Sequence, residues 1–146
     1  TTFWDRSTLY ALRGIFAAGK ADAAMEKLQY YSQRRLLGDH VPYAIEAWPE
    51  GSQRHLSAES GLYCRVITEG LFGIRPVGFK AFELKPALPS DWNTMSLKQI
   101  KAFGISFDIA VTRVQGGKLE VTVSPEGGKI KKYVVKEGQT LKVTLQ

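Results

Sequence analysis

An α+β fold is predicted for this chain of 146 residues, three helices followed by a small antiparallel β-sandwich. Three observations predict it. Apolar residues recur at helical spacing through the first half. From about residue 79 they alternate with polar ones, the period of a half-buried strand. Between two patterned helices lies YAIEAWPEGSQRHLSAESGLY, residues 43–63, with little periodicity and many polar groups. The helical segment is expected over 1–76 and the sandwich over 77–146.

The first helix carries Leu9, Leu12, Ile15 and Phe16 on one face, with Asp5 or Ser7 as its cap and Gly19 at its end. Asp22 sits near the start of the second, where Ala24, Met25, Leu28, Tyr31 and Leu36 recur. Arg34 and Arg35 fall in its last turn, which suits the helix dipole, and Gly38 closes it. The short connection makes the two an αα-hairpin. Pro42 and Pro49 forbid a continuous helix through the next stretch, which reads as irregular from Asp39 to Leu56. Ser57 is a fitting cap for a third helix with Glu59 in its first turn and Leu62, Tyr63, Val66, Ile67 and Leu71 on one side. Gly70, Gly73 and Pro76 stop it. Six strand patterns follow: FKAFEL, SLKQIKAFG, ISFDIAVTRV, KLEVTVS, KIKKYVV and TLKVTLQ. Gly116-Gly117, PEGG and KEGQ supply turns, and KPALPSDWN bridges the first two strands.

Charge is uneven. Residues 1–78 hold nine basic and eight acidic groups, and residues 79–146 hold eleven and six. Ten of those eleven are lysines scattered through strands, the pattern of a solvated face or a guarded edge. Nucleic-acid binding favours clustered arginines among stacking aromatics, so no nucleic-acid partner is expected. No apolar run is long enough to span a membrane, and the opening TTFWDRSTLY lacks the pattern of a signal peptide. It reads as the interior of a longer protein. Cys64, the only cysteine, is expected to be a buried thiol in a helix. His40 and His55 have no third ligand in sight, so neither a metal nor a cofactor is expected. Phe3, Trp4, Phe16, Tyr30 and Tyr31 want more cover than three helices give, which suggests packing on the sheet, missing helices, or self-association through exposed helical faces.

The phrases HLSAESGLYCRVITEGLFGIRPVGFKAFELKPALPSDW and, before them, AIEAWPEG resemble the end of the six-hairpin, (α/α)6-barrel glycosidases: α-L-rhamnosidases, trehalases, glucosidase I-like enzymes and disaccharide phosphorylases. The likeness runs over about residues 1–110, and GLFGIRP…FELKPALPSDW is its specific part. It implies the last helices of such a barrel followed by its β-sandwich, hence a C-terminal fragment of a carbohydrate-active enzyme. Inverting hydrolysis needs one carboxyl to protonate the leaving oxygen and one to activate water. By resemblance, Glu46 in AIEAWPEG is the general base, and Glu59 is the second candidate, although a first-turn acid has a structural reason of its own. Trp48 offers an apolar face for sugar, and Tyr43, Gln53, Arg54 and His55 offer hydrogen bonds. Glu50 reads as a turn residue. Trp4 and Asp5 open a helix and are assigned to packing and capping, and Trp92 to packing between the two halves. The partner acid is expected upstream, so the chain alone is expected to be inactive. Hydrolysis is favoured over phosphorolysis, since no Gly-rich cradle or cationic cluster stands near Glu46. A polysaccharide-degrading enzyme of this kind would be periplasmic or extracellular. The alternatives are a carbohydrate-binding module, using exposed rings such as Phe79, Phe82 or Tyr133, and a purely structural module.

Overall fold

In the computed structural model, which describes residues 3–36, 47–48 and 57–145, the fold is α+β and the chain divides after Leu71 into a helical unit and a sheet unit. The helical unit opens with a two-residue strand, β1 (Phe3–Trp4), and then α1 (Asp5–Ala17) and α2 (Ala21–Arg35). Leu9, Leu12 and Phe16 of α1 are buried with Ala24, Met25, Leu28 and Tyr31 of α2, each set at the helical spacing the sequence shows. The hairpin between them is made by Gly19. It takes φ +77°, its N–H donates to the Phe16 carbonyl at 2.9 Å, and the Lys20 N–H donates to Ile15 at 3.1 Å. This double closure satisfies the last carbonyls of α1 in a left-handed turn that favours glycine.

Strand β2 (Ala47–Trp48) pairs antiparallel with β1, Phe3 opposite Trp48 and Trp4 opposite Ala47. The stretch expected to be irregular therefore contains a short ladder. Helix α3 (Ser57–Arg65) continues without a break as a π-helical turn, Val66–Leu71, so Gly70 does not stop it. Gly70 is instead a contact point. A Cβ there would lie 3.1 Å from Phe16 Cδ2, so the missing side chain lets the π turn close on α1. Cys64 is exposed, against the expectation of a buried thiol. The inward face of this helix is set by Glu59, Val66 and Gly70, all buried, and Cys64 falls off that face.

The sheet unit holds seven strands: β3 (Arg75–Gly78), β4 (Ala81–Leu84), β5 (Thr94–Ala102), β6 (Ile105–Val114), β7 (Lys118–Pro125), β8 (Lys131–Lys136) and β9 (Leu141–Thr144). They form two antiparallel sheets, β3-β4-β9 and β5-β6-β7-β8. Their buried faces meet: Phe82 of β4 stacks on Phe107 of β6 at 5.5 Å and on Phe103 at 5.7 Å. Leu84, Ile109, Val111, Leu119, Val121, Val123 and Val143 complete the core. Six strands coincide with the six alternating patterns. The seventh, β3, was read as part of a helix stop because it contains Pro76 and Gly78. As the edge of its sheet it tolerates a proline, whose missing N–H costs no ladder bond on the open side.

KEGQ joins β8 to β9, strands of different sheets, so it carries the chain across the sandwich and is not a hairpin turn. KPALPSDWN makes the other crossing, from β4 to β5. Its carbonyls are held by Arg113 of β6, whose guanidinium donates to Pro89 O at 2.9 Å and Trp92 O at 3.3 Å and pairs with Glu137. Trp92 itself is half-buried. Lysines 98 and 101 lie on β5 and 131, 132 and 136 on β8, the two edges of the larger sheet. Charged edges of this kind disfavour pairing with another chain.

Gly73 takes φ +64°, and a Cβ there would lie 2.2 Å from the Lys85 carbonyl oxygen. Its own carbonyl accepts the Lys85 N–H at 3.2 Å. Gly73→Ala is expected to lower unfolding free energy by more than about 2 kcal/mol, since the backbone must leave both that φ and that contact. Gly116→Ala, equally left-handed at φ +77° but with nothing within 4 Å, is expected to cost only about 1 kcal/mol. Urea melts of the two variants check the difference.

Candidate functional site

Charged side chains gather at one end of the helical unit. Helices α1 and α2 run antiparallel, so the start of α1 lies beside the end of α2. Helix α3 runs along α1 in the same direction. Arg6 reaches Glu59 near their starts, and Arg13 reaches Glu69 farther on. The N-termini of α1 and α3 and the C-terminus of α2 therefore meet. The dipoles leave partial positive charge at the first two ends and partial negative charge at the third. Asp5, Glu59 and Arg35 complement these charges in the first turn of α1, the first turn of α3 and the last turn of α2.

Two of these groups are carboxylates with no exposure to solvent, Asp5 and Glu59. Asp5 Oδ2 accepts the Tyr31 hydroxyl at 3.2 Å, and Oδ1 lies 3.4 Å from Arg35 Nε. Glu59 Oε1 is gripped twice by Arg6, from Nε at 2.8 Å and from Nη2 at 2.7 Å. Asp5 Oδ1 and Glu59 Oε2 are buried with no hydrogen-bond partner among the described residues. Burial pushes the Asp5 carboxyl above its usual range, against the pull of the Arg35 charge and the Tyr31 hydrogen bond, and the Glu59 charge adds to the rise. The two acids therefore sense one another. Burial and the neighbouring Asp5 hold the Tyr31 hydroxyl in its neutral form. A second layer supports them: the Tyr31 and Tyr63 rings stack at 6.1 Å, and the Tyr63 hydroxyl bonds Ser32 Oγ at 2.8 Å.

A groove of about 830 Å³ runs between α1 and α2, lined by Thr8, Leu12, Ile15, Tyr30 and Arg34, with Tyr31 and Arg35 in its wall. Tyr30 is 58% exposed, and the Arg34 guanidinium lies 4.0 Å from the centre of its ring. Trp4 is 54% exposed, whereas Phe16 and Tyr31 are buried. Of these rings, the ones left exposed among the described side chains are Trp4 and Tyr30.

The site residues expected from sequence divide in three. Glu59 is in the cluster, but at its buried centre, which a role in the helix dipole does not require. Trp48 is placed by its backbone only, opposite Phe3. Glu46, Tyr43, Gln53, Arg54 and His55, together with His40, Glu50 and Gly38, lie outside the described residues. Ala47, next in the chain after Glu46, pairs with Trp4, next before Asp5. Asp5 does not cap α1: it is the first helical residue, and no side chain bonds that N-terminus. Arg6 and Tyr31 carry no local signal of their part, and Arg35 shows only its fit to the dipole of α2. Their partners are far away in sequence, 53 residues for Arg6 and Glu59. Among the described residues, no group of three or more histidine, cysteine or acidic side chains is arranged to hold a metal, and no helix is long and apolar enough to cross a membrane.

Glu69 shows the opposite electrostatics. Arg65 donates to it from Nε at 2.5 Å and Nη2 at 3.0 Å, and Arg13 from Nη1 at 2.8 Å. The Arg65 hydrogen bonds hold its carboxyl below the ordinary value of 4.5, with the Arg65 and Arg13 charges adding to the effect against partial burial. Its contribution is therefore present above that pH and is lost as pH falls through the lower folded value. Glu69→Gln is expected to remove this acid-side loss and to cost less than about 1 kcal/mol at neutral pH, since the pair is partly solvated. Denaturant melts at stepped pH check both. Comparison of the chain with protein-family models, curated proteins and solved structures returns no match.

Proposed function

We propose that this chain is the C-terminal part of an inverting glycoside hydrolase acting on oligo- or polysaccharide, and that its helical unit contributes the sugar-facing end. The observation that carries the reading is the pair of fully buried carboxylates, Asp5 and Glu59, each with an oxygen lacking a donor among the described residues. Packing alone gives little reason to bury two acids here, because desolvating a carboxylate costs several kcal/mol that a paired arginine only partly offsets. A site that meets hydroxyl groups does give a reason. The β1–β2 ladder adds support, since it ties the backbone next to Glu46 to the backbone next to Asp5. The resemblance of AIEAWPEG and GLFGIRP…FELKPALPSDW to the six-hairpin glycosidases supplies the reaction class, with Glu46 as general base and the acid upstream of this chain.

The sheet unit fits a scaffold role within this reading. Phe82 and Phe107 are core residues, and Phe79 is the one ring of the three binding candidates that stands fully clear, 99% exposed. A carbohydrate-binding sheet would present several rings in a row.

The test uses the natural polypeptide that contains this chain, assayed on aryl glycosides and oligosaccharides. Inverted product is expected, with Glu46→Gln lowering kcat by at least about 100-fold. The 146-residue chain by itself is expected to give no turnover. A reading frame with no helical barrel preceding Thr1, or full activity in the Glu46 variant, would overturn the assignment.

A further inference from the structure

We propose that one end of the sheet unit docks on an anionic lipid bilayer, with the Phe79 ring inserted among the acyl chains and Lys80, Lys101, Lys129 and Lys131 set against the lipid phosphates. The inference goes beyond the glycoside hydrolase reading and does not draw on it.

The pairing of the strands brings these residues together. Hairpin β3–β4 turns between Gly78 and Ala81, and Thr144 of β9 lies opposite Ala81. In the larger sheet Ala102 pairs with Ile105 at the β5–β6 turn, Phe107 with Pro125, and Val123 with Lys131, so the β7–β8 loop leaves from the same side. Two contacts join the sheets there. Phe82 stacks on Phe103 at 5.7 Å, and Lys131 Nζ donates to the Thr144 carbonyl at 2.7 Å. The chain enters the unit at the other end, where the Lys85 N–H donates to the Gly73 carbonyl.

Three apolar side chains stand out from this end. Phe79 is 99% exposed, Ile130 63% and Val77 40%. A ring on such a turn can be buried, as Phe103 shows. It takes φ +57°, a left-handed conformation unfavourable for a bulky residue, and folds back onto Phe82 and Phe107. Phe79 stays out, on a tip fixed by the Leu145 N–H, which donates to the Lys80 carbonyl at 2.7 Å. Single exposed apolar side chains are ordinary, but three gathered at one end of a small unit mark an interaction surface.

Charge selects the occupant. Residues 78–81, 101–106 and 125–131 form this end, and they hold Lys80, Lys101, Lys129 and Lys131 with a single acid, Glu126. The opposite end is mixed, since Arg113 pairs there with Glu137. A second copy docked end to end would set lysine against lysine. A bound sugar lies flat on a ring supported from behind, whereas the Phe79 ring is bare on both faces. The charged and apolar groups sit on three separate turns, a spread that a broad fluid surface meets without shape matching. At a bilayer the apolar groups enter the acyl boundary, and lysine stems lie along it with their ammonium groups at the phosphates. The negative potential of anionic lipid attracts each lysine near the surface within about one Debye length. Such docking needs no spanning segment, and one ring with a few lysines makes it reversible and sensitive to salt.

The experiment is co-sedimentation of the 146-residue chain with vesicles of phosphatidylcholine alone and of equal parts phosphatidylglycerol and phosphatidylcholine. Binding to the anionic vesicles only is expected, weakening as added salt shortens the Debye length. Phe79→Ser is expected to lower the partition coefficient about 5-fold or more. Lys80→Gln combined with Lys129→Gln is expected to lower it about 10-fold or more. Lys118→Gln combined with Lys136→Gln, at the opposite end, should change it less than about 2-fold. All five side chains are exposed, so these variants keep the fold, which circular dichroism checks. In Phe79→Trp, fluorescence beyond that of the unaltered chain should be quenched by brominated lipid. Equal loss from the two lysine pairs, or binding indifferent to Phe79, overturns the proposal. Absence of binding to the anionic vesicles also overturns it. Self-association that Phe79→Ser abolishes would then assign this end to a second copy, and its absence would leave an acidic protein as the occupant. Turnover by the natural polypeptide tests the glycosidase reading separately, and neither result alters the other.

Discussion

The helical unit depends on the meeting of three helix ends around Asp5, Arg35, Arg6 and Glu59. Each helix brings to that point a side chain whose sign opposes its own dipole, and the side chains then pair across helices. Tyr31 and Tyr63 turn the pairing into a layer by stacking under it. The cost is desolvation of two carboxylates, which the arginines only partly offset. Replacing a buried cluster of this kind by apolar side chains of the same volume is often neutral or stabilising.

Remote from this end, the same helices rely on ordinary packing. Leu9, Leu12, Phe16 and Leu28 bury their side chains completely or nearly so, each worth about 1.5–3 kcal/mol of transfer free energy. Gly70 sets how closely the π turn approaches α1, and the Glu69 carboxylate, held by Arg65 and Arg13, closes the outer rim of the same contact. In the sheet unit, one arginine has the corresponding duty. Arg113 supplies donors to a loop whose prolines supply none, and it links that loop to the turn after β8 through Glu137.

What was legible in the sequence follows the range of the physics. Alternation is a local signal, so six of the seven strands of the sheet unit and the three helices stand where the pattern puts them. Arg75–Gly78 escaped because Pro76 and Gly78 advertise a break, and only knowledge of the neighbour reveals an edge strand. Cys64 was misplaced because the apolar residues around it, Leu62, Tyr63 and Ile67, are half-buried and blur the phase of the helix. A buried glutamate, Glu59, fixes that phase and no hydropathy pattern would choose it. The acid cluster was legible in its members taken singly, as first-turn and last-turn charges. Their convergence was not, because ion pairs between residues tens of positions apart leave no trace in local spacing.

The wide turn at Val66–Leu71 holds one residue more per hydrogen-bonded loop than the α-helix before it. Each residue advances an α-helix by about 100°. Loss of a single residue from this turn would let it relax to α geometry and would rotate the rest of the turn by roughly that angle about the axis. Gly70 would leave Phe16, and a side chain would arrive where only a hydrogen atom fits. Insertions and deletions at these six positions therefore carry a cost that those at ordinary helix ends do not, the loss of the close contact between Gly70 and Phe16.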